Sequence, residues 1–140
     1  MSEAYVIGVG ATRFGRHPSI THRSLTEEAV RNALSDAGLD GGGAPVEQVW
    51  FGSCAMHVWG QPNIRGQVCV DGLMNEGTLP AGVPVLNVEG ACATGSVALH
   101  GAYKDIRSGE QDLVLAVGVD KTFLPDDPAA MLGLFAGAID

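Results

Sequence analysis

Cys92 stands in "NVEGACATGSVALHGA", residues 87–102, among alanines and glycines where a strand pattern gives way to a helix pattern. A thiol at the mouth of a helix can serve as a nucleophile, because the free N–H groups of the first turn and the helix dipole favour the thiolate. Ala91, Ala93 and Gly95 leave room for a carbonyl to approach, and the same N–H groups could hold the oxyanion formed on attack. The plainer alternative is a small apolar side chain packing a strand–helix junction, the commoner fate of a free cysteine. Local chemistry leaves both open.

The neighbours divide in the same way. Asn87 precedes the thiol by five residues and is placed to orient the backbone through side-chain hydrogen bonds. Glu89 is either a buried carboxylate or a solvated turn residue. His100 lies two helical turns beyond Cys92, too far for contact, and reads as a packing or surface residue. Cys69 reads as a core filler, and Cys54 sits in a loop. The stretch "GVGATRFG" lacks the G-x-G-x-x-G spacing of a phosphate-binding turn and reads as a strand end.

The elements that must position these residues alternate. Residues 4–9 are a short apolar run expected to form a first, buried strand. "SLTEEAVRNALSDAGLD" predicts a helix opened by a Ser24/Glu27 capping box, striped by Leu25, Ala29, Val30, Ala33, Leu34 and Ala37, and stopped at Gly38. A second strand is expected over 46–52, and a helix from Pro62 to about Gly77. The third strand covers 83–88, with Pro84 marking an edge position or a strand start. The Cys92 helix runs over 92–108 to Gly109, expected central and buried with its N-terminus on a cleft; "DLVLAVGVD" follows as a strand buried on both faces. Beyond Pro125 the pattern reads as loop and small residues. This βαβαβαβ order predicts an α/β fold with a mainly parallel sheet and helices on both faces.

Composition narrows the classes. With 46% hydrophobic residues and 20 glycines the chain is an ordered α/β protein rather than a disordered one. The formal net charge is −8 and the 8 basic residues are scattered, which excludes a basic surface for nucleic acid or anionic membrane. A phosphate-bearing ligand would therefore rely on backbone N–H groups or on residues outside this chain. Cys54, Cys69 and Cys92 are odd in number and have no CxxC spacing, which argues against a disulfide framework or a zinc site. With neither a leader nor a membrane-length apolar run, the expectation is a cytoplasmic protein.

Three stretches together resemble the thiolase family: "GSCAMHVWGQPNIRGQ", "VPVLNVEGACATGSVALHGA" and "IRSGEQDLVLAVGVDK". The family's G-Q-x-x-x-R segment falls on Gly60, Gln61 and Arg65. Its N-x-x-x-x-C-x-[ST]-G motif falls on Asn87, Cys92, Thr94 and Gly95, and its later glycine and G-x-[DE] on Gly109, Gly118 and Asp120. "CATGS" and "GVDK" are most similar to the sterol-carrier type of thiolase. The resemblance covers nearly the whole chain, 1–140, as the N-terminal portion of a thiolase-like N-terminal domain.

It implies a layered fold and a covalent mechanism, in which Cys92 attacks the keto carbon of a 3-ketoacyl-CoA and a thioester carries the acyl group to coenzyme A. Coenzyme A is then a co-substrate, with no permanently bound cofactor or metal. His57, whose loop lies near the dimer interface and active site in thiolases, joins Arg65 and Asn87 as candidate substrate contacts. Arg65 would meet CoA phosphate or pair with Glu89 or Asp71, and Trp59 and Met56 would pack the loop and the subunit interface. The family's G-H-P and C-x-G-G motifs, which supply the base and second acid/base, do not occur in these 140 residues. The active site is therefore expected to be incomplete in this chain, as though it had been cut from a longer subunit. A homodimer or larger assembly is implied, and a small zinc-binding OB-fold partner is known for some sterol-carrier-type relatives. Two other functions remain: a thiolase-like subunit without thiolytic activity, serving lipid transfer or an aldolase complex, and a ketosynthase-type condensing enzyme.

Overall fold

The computed structural model describes residues 3–137. Its centre is a parallel sheet of three strands, β1 (Gln48–Gly52), β2 (Val85–Val88) and β3 (Val114–Gly118), in the order β2-β1-β3. The register sets Val49 beside Val85 on one side and Leu115 on the other. Alternation along β1 then decides which layer each side chain joins. Val49 and Phe51 face α1 (His22–Asp36) and α2 (Arg65–Asn75), where Val49 packs with Val30, Leu34, Val70 and Leu73. Trp50 points the other way onto α3 (Thr94–Ser108), its ring lying against Gly101 so closely that a Cβ there would come within 2.5 Å. Asp105 of α3 accepts from Trp50 Nε1 and Gln48 Nε2, both at 2.6 Å, and ties that layer to the middle strand. Each fully buried aliphatic side chain in this core contributes about 1.5–3 kcal/mol relative to exposure. The fold class read from the sequence, α/β with a parallel sheet and a helix layer on each face, is what the structure has.

Several elements differ in detail, each for a physical reason. Residues 4–9 form no strand. Their backbone lies on α1 instead of beside β2 or β3: Val9 N donates to Asp36, and a Cβ on Gly8 or Gly10 would come within 2.4 Å of α1 backbone atoms. Tyr5, Val6, Ile7 and Val9 are left exposed. The first helix starts at His22, two residues before the expected capping box, because Thr21 is its N-cap and accepts from Ser24 N at 3.0 Å. The next helix starts at Arg65, not Pro62, since Ile64 before it is left-handed with φ 43°. β3 is half-buried rather than buried on both faces, since among the described residues it is an edge strand. Pro84 does stand just before β2, which is the other edge. A fourth helix, α4 (Pro128–Ala136), occupies the stretch read as loop; Asp127 caps it through Ala130 N, and Pro128 opens it. Among the described residues no helix is long and apolar enough to cross a membrane.

Candidate active site

A parallel sheet delivers the segment after every strand to one edge, where α/β proteins bind their ligands. Three such segments meet that edge: residues 53–59 after β1, 89–93 after β2, and 119–121 after β3. The second carries Cys92 and the third Asp120.

The Cys92 segment is a strained elbow. Ala91 has φ 47°, in the left-handed region, which costs a residue with a Cβ roughly 1–2 kcal/mol. Strain of this kind persists only where neighbours hold it, and here two side chains do, through three hydrogen bonds. Glu89 Oε1 accepts from Ala91 N at 2.6 Å. Thr94 Oγ1 accepts from Gly90 N at 2.9 Å and donates to Ala91 O at 2.7 Å. Thr94 is buried, and its Cγ2 occupies the space that a side chain at position 52 would need, 2.8 Å from where a Cβ on Gly52 would sit. Cys92 follows in a single 3-10 turn, Ala91–Ala93, so α3 begins two residues later than expected, with no side chain capping it. The cysteine is exposed, and α3 buries Thr94, Ala98, Gly101 and Ala102 on one stripe only. The thiol therefore stands at a helix mouth as anticipated, but this chain does not bury it or its helix.

The β1 segment is held by charge from both sides. Asp120 Oδ1 accepts from Ser53 Oγ at 2.8 Å, Ala55 N at 2.7 Å and Cys54 N at 3.1 Å, while Oδ2 takes the Cys54 thiol at 3.2 Å. Arg65, half-buried, donates to Ser53 O. It makes neither of the two ion pairs considered for it, and Asp71 pairs with Arg23 at 3.6 Å. Burial, followed by the Asp120 hydrogen bond and charge and then Glu89, pushes the Cys54 thiol up to about 11. Ser53 N donates to Val88 O at 3.4 Å and Gly52 packs on Thr94, so the elbow and the β1 segment are neighbours.

His57 is exposed, with Nδ1 3.0 Å from Cys54 O. Asn87 turns from β2 toward α2: its Oδ1 accepts from Gly66 N at 2.6 Å, supplying the cap α2 lacks from its own N-cap residue, and its Nδ2 donates to Gln67. Trp59 and Met56 do pack the loop: Met56 is buried with Phe51 and Cys69, and Trp59 Nε1 donates to Lys121 O at 2.8 Å. Cys69 is the core filler expected, and His100 an exposed residue stacked on Tyr103. Glu89 is the solvated alternative of its two readings. Among the described residues no three His, Cys, Asp or Glu side chains are grouped as a metal site requires. Two concavities, of about 160 Å³ beside Trp59 and Pro125 and about 290 Å³ beside His22 and Gln61, are not lined by Cys92.

The description "Thiolase, N-terminal domain" belongs to a family profile that matches residues 4–123. The chain belongs to the thiolase family. It is 34% identical over 122 residues to an acetyl-CoA acetyltransferase of Methanocaldococcus jannaschii, covering 86% of this chain and 29% of that one. To sterol carrier protein 2 of Gallus gallus it is 34% identical over 119 residues, 84% of this chain and 20% of the relative. The solved acetyl-CoA acetyltransferase of Syntrophomonas wolfei shares its fold at a TM-score of 0.69 and 22% identity, over 89% of this chain and 31% of that one. The thiolase chain thus spans less than a third of the relatives it matches.

Sequence reasoning placed Cys92, but it gave no role to Thr94 or Asp120 and did not foresee a left-handed Ala91. Asp120 carried a signal that could have been used: a carboxylate just after an apolar strand needs several donors around it, and the segment after β1 supplies them. Ala91 carries no signal of its own, because alanine does not mark left-handed backbone.

Proposed function

We propose that this thiolase chain supplies the nucleophile of an acyltransferase that cleaves or forms a carbon–carbon bond in a 3-ketoacyl-CoA. The observation that carries the reading is Cys92, exposed at the carboxyl edge directly after a left-handed residue held by Glu89 and Thr94. In the cleavage direction the Cys92 thiolate bonds to the keto carbon, and the C2–C3 bond breaks. The electron pair leaves with acetyl-CoA, whose methyl carbon takes a proton. The thiol of coenzyme A then attacks the acyl-cysteine thioester and displaces Cys92 as thiolate. The base and the acid belong to residues outside this chain, as does most of the acyl-CoA pocket, in keeping with the open surface around Cys92.

His57, Arg65 and Asn87 take unequal parts in this reading. His57 and Asn87 are both exposed, but the Asn87 side chain is taken up by Gly66 N and Gln67, so His57 is the candidate substrate contact. Arg65 and Asn87 act through the backbone they hold. The edge of β2 that is unpaired among the described residues, with Leu86 of that strand exposed, supports pairing with a second copy. Three free cysteines fit a reducing, cytoplasmic setting. A zinc-binding OB-fold partner has no support in the residues described.

Similarity to sterol carrier protein 2 favours a second reading, a thiolase-like lipid-transfer protein. Acetoacetyl-CoA and coenzyme A given to the full-length protein distinguish the two. Thiolysis that disappears in Cys92→Ser supports the first reading, and its absence from the unaltered protein favours the second.

A further inference from the structure

The segments after β1 and β2 are neighbours at this edge, with Ser53 N donating to Val88 O, and each carries a thiol, Cys54 on the first and Cys92 on the second. What distinguishes them is Asp120. We propose that Asp120 is a positioning residue of the acyl-transfer site: by accepting from Ser53, Cys54 and Ala55 it fixes the turn that carries His57 and holds the Cys54 thiol as a donor to its own carboxylate, leaving Cys92 free to attack. The proposal rests on the thiolase reading above for the reaction served, but its geometry stands without it.

One carboxylate gathers four donor groups from three consecutive residues: the Ser53 hydroxyl, two successive backbone N–H groups and the Cys54 thiol. Arg65 donates to the carbonyl of the first of those residues, so a cation and a carboxylate hold the same turn. Hydrogen bonds to an ionised carboxylate are roughly twice as strong as neutral ones, and here they restrain adjacent residues together. His57 inherits the restraint, because its Nδ1 lies 3.0 Å from the carbonyl of Cys54. A thiol that donates to a carboxylate cannot ionise without placing two anions in contact, and Cys54 is already half-buried. Cys92 is exposed, and the carboxylate nearest it in sequence, Glu89, accepts from Ala91 N. The clamp thus does two things with one group: it shapes the turn and withholds the second thiol.

The test uses the full-length protein and the variants Asp120→Asn and Asp120→Ala. In Asp120→Asn the shape and the Oδ1 contacts can remain, but the amide nitrogen would donate to the Cys54 sulfur where the carboxylate accepted from it. Cys54 alkylation by iodoacetamide at pH 8, read by peptide mass spectrometry, is expected to rise at least about tenfold, with its pH profile moved to lower pH. In Asp120→Ala the turn loses its anchor, and kcat/KM for acetoacetyl-CoA thiolysis per folded molecule should fall at least about tenfold. If that variant does not fold, Asp120→Asn carries the test. Unchanged Cys54 labelling in Asp120→Asn would overturn the proposal, as would unchanged thiolysis in a folded Asp120→Ala protein. Labelling needs no turnover, so an inactive parent protein would count against the thiolase reading while the clamp was still being measured.

Discussion

At the scale of single residues, exposure and hydrogen bonding rank the three thiols without reference to any relative. Cys92 is exposed, Cys54 is half-buried and bonded to a carboxylate, and Cys69 is fully buried, its thiol pushed up by desolvation. Iodoacetamide near neutral pH should therefore label Cys92 well ahead of Cys54, and Cys69 only on unfolding. Peptide mapping after timed quenching checks the order, and Cys69 labelled as fast as Cys92 would contradict it. The small neighbours of Cys92 and its place between a strand and a helix made it a candidate but left nucleophile and packing residue both open. It was the thiolase resemblance that favoured the nucleophile. The sequence left Asn87 and Arg65 ambiguous, since both have polar groups that could meet a ligand. The structure turns them onto backbone, Asn87 to Gly66 N and Arg65 to Ser53 O.

At the scale of elements, the elbow depends on how closely β1 approaches α3. Gly52 permits that approach, because Thr94 Cγ2 fills the place of a Cβ. Gly52→Ala should destabilise the fold by about 1–3 kcal/mol, the usual cost of forcing extra atoms into packed structure. Thr94→Ser keeps the latching hydroxyl and removes the methyl, so it should recover most of that loss in the double variant. Urea unfolding of the four proteins checks this, and simple additivity would contradict it.

The N-terminal end of α1 makes a separate prediction. His22 is buried there edge-on to Trp59, with Nε2 unpartnered. Burial, then the Lys121 charge, lowers its pKa to about 4, partly offset by Asp120. A histidine that prefers to be neutral when folded contributes its full stability above its ordinary value near 6.5. That stability is lost as pH falls from there to about 4, on the order of 2 kcal/mol. His22→Phe should flatten this limb of a stability–pH curve; an unchanged limb would assign it to other groups.

The start of α1 and the start of α2 show why element boundaries were less legible than elements. Thr21 took the cap that Ser24 was expected to provide, and α2 borrows its cap from Asn87 on a strand 21 residues away. Local patterns cannot report a cap supplied by tertiary contact. The same holds for residues 4–9, whose composition suits a strand but whose backbone found α1 rather than a sheet edge.

At the scale of the whole molecule, the parallel sheet and its two helix layers followed from alternating elements, and the family from motifs in their order. The motifs missing from these 140 residues led to the expectation of an incomplete site. Cys92 is exposed, both outer strands have an unpaired edge among the described residues, and Tyr5, Val6, Leu99 and Phe135 are exposed. Such surfaces call for covering by further chain or by a second copy. Light scattering on the full-length protein should give a dimer or larger species, and a monomer at all concentrations would contradict the pairing proposed for β2.

The central claim is that Cys92 carries the acyl group. Incubating the full-length protein with acetyl-CoA or acetoacetyl-CoA, quenching in acid and mapping peptides by mass spectrometry tests it most directly. The account predicts an acetyl adduct on the peptide containing Cys92, released by added coenzyme A and absent from Cys92→Ser. An adduct on Cys54 or Cys69 in its place, or undiminished acyl transfer by Cys92→Ser, would contradict it.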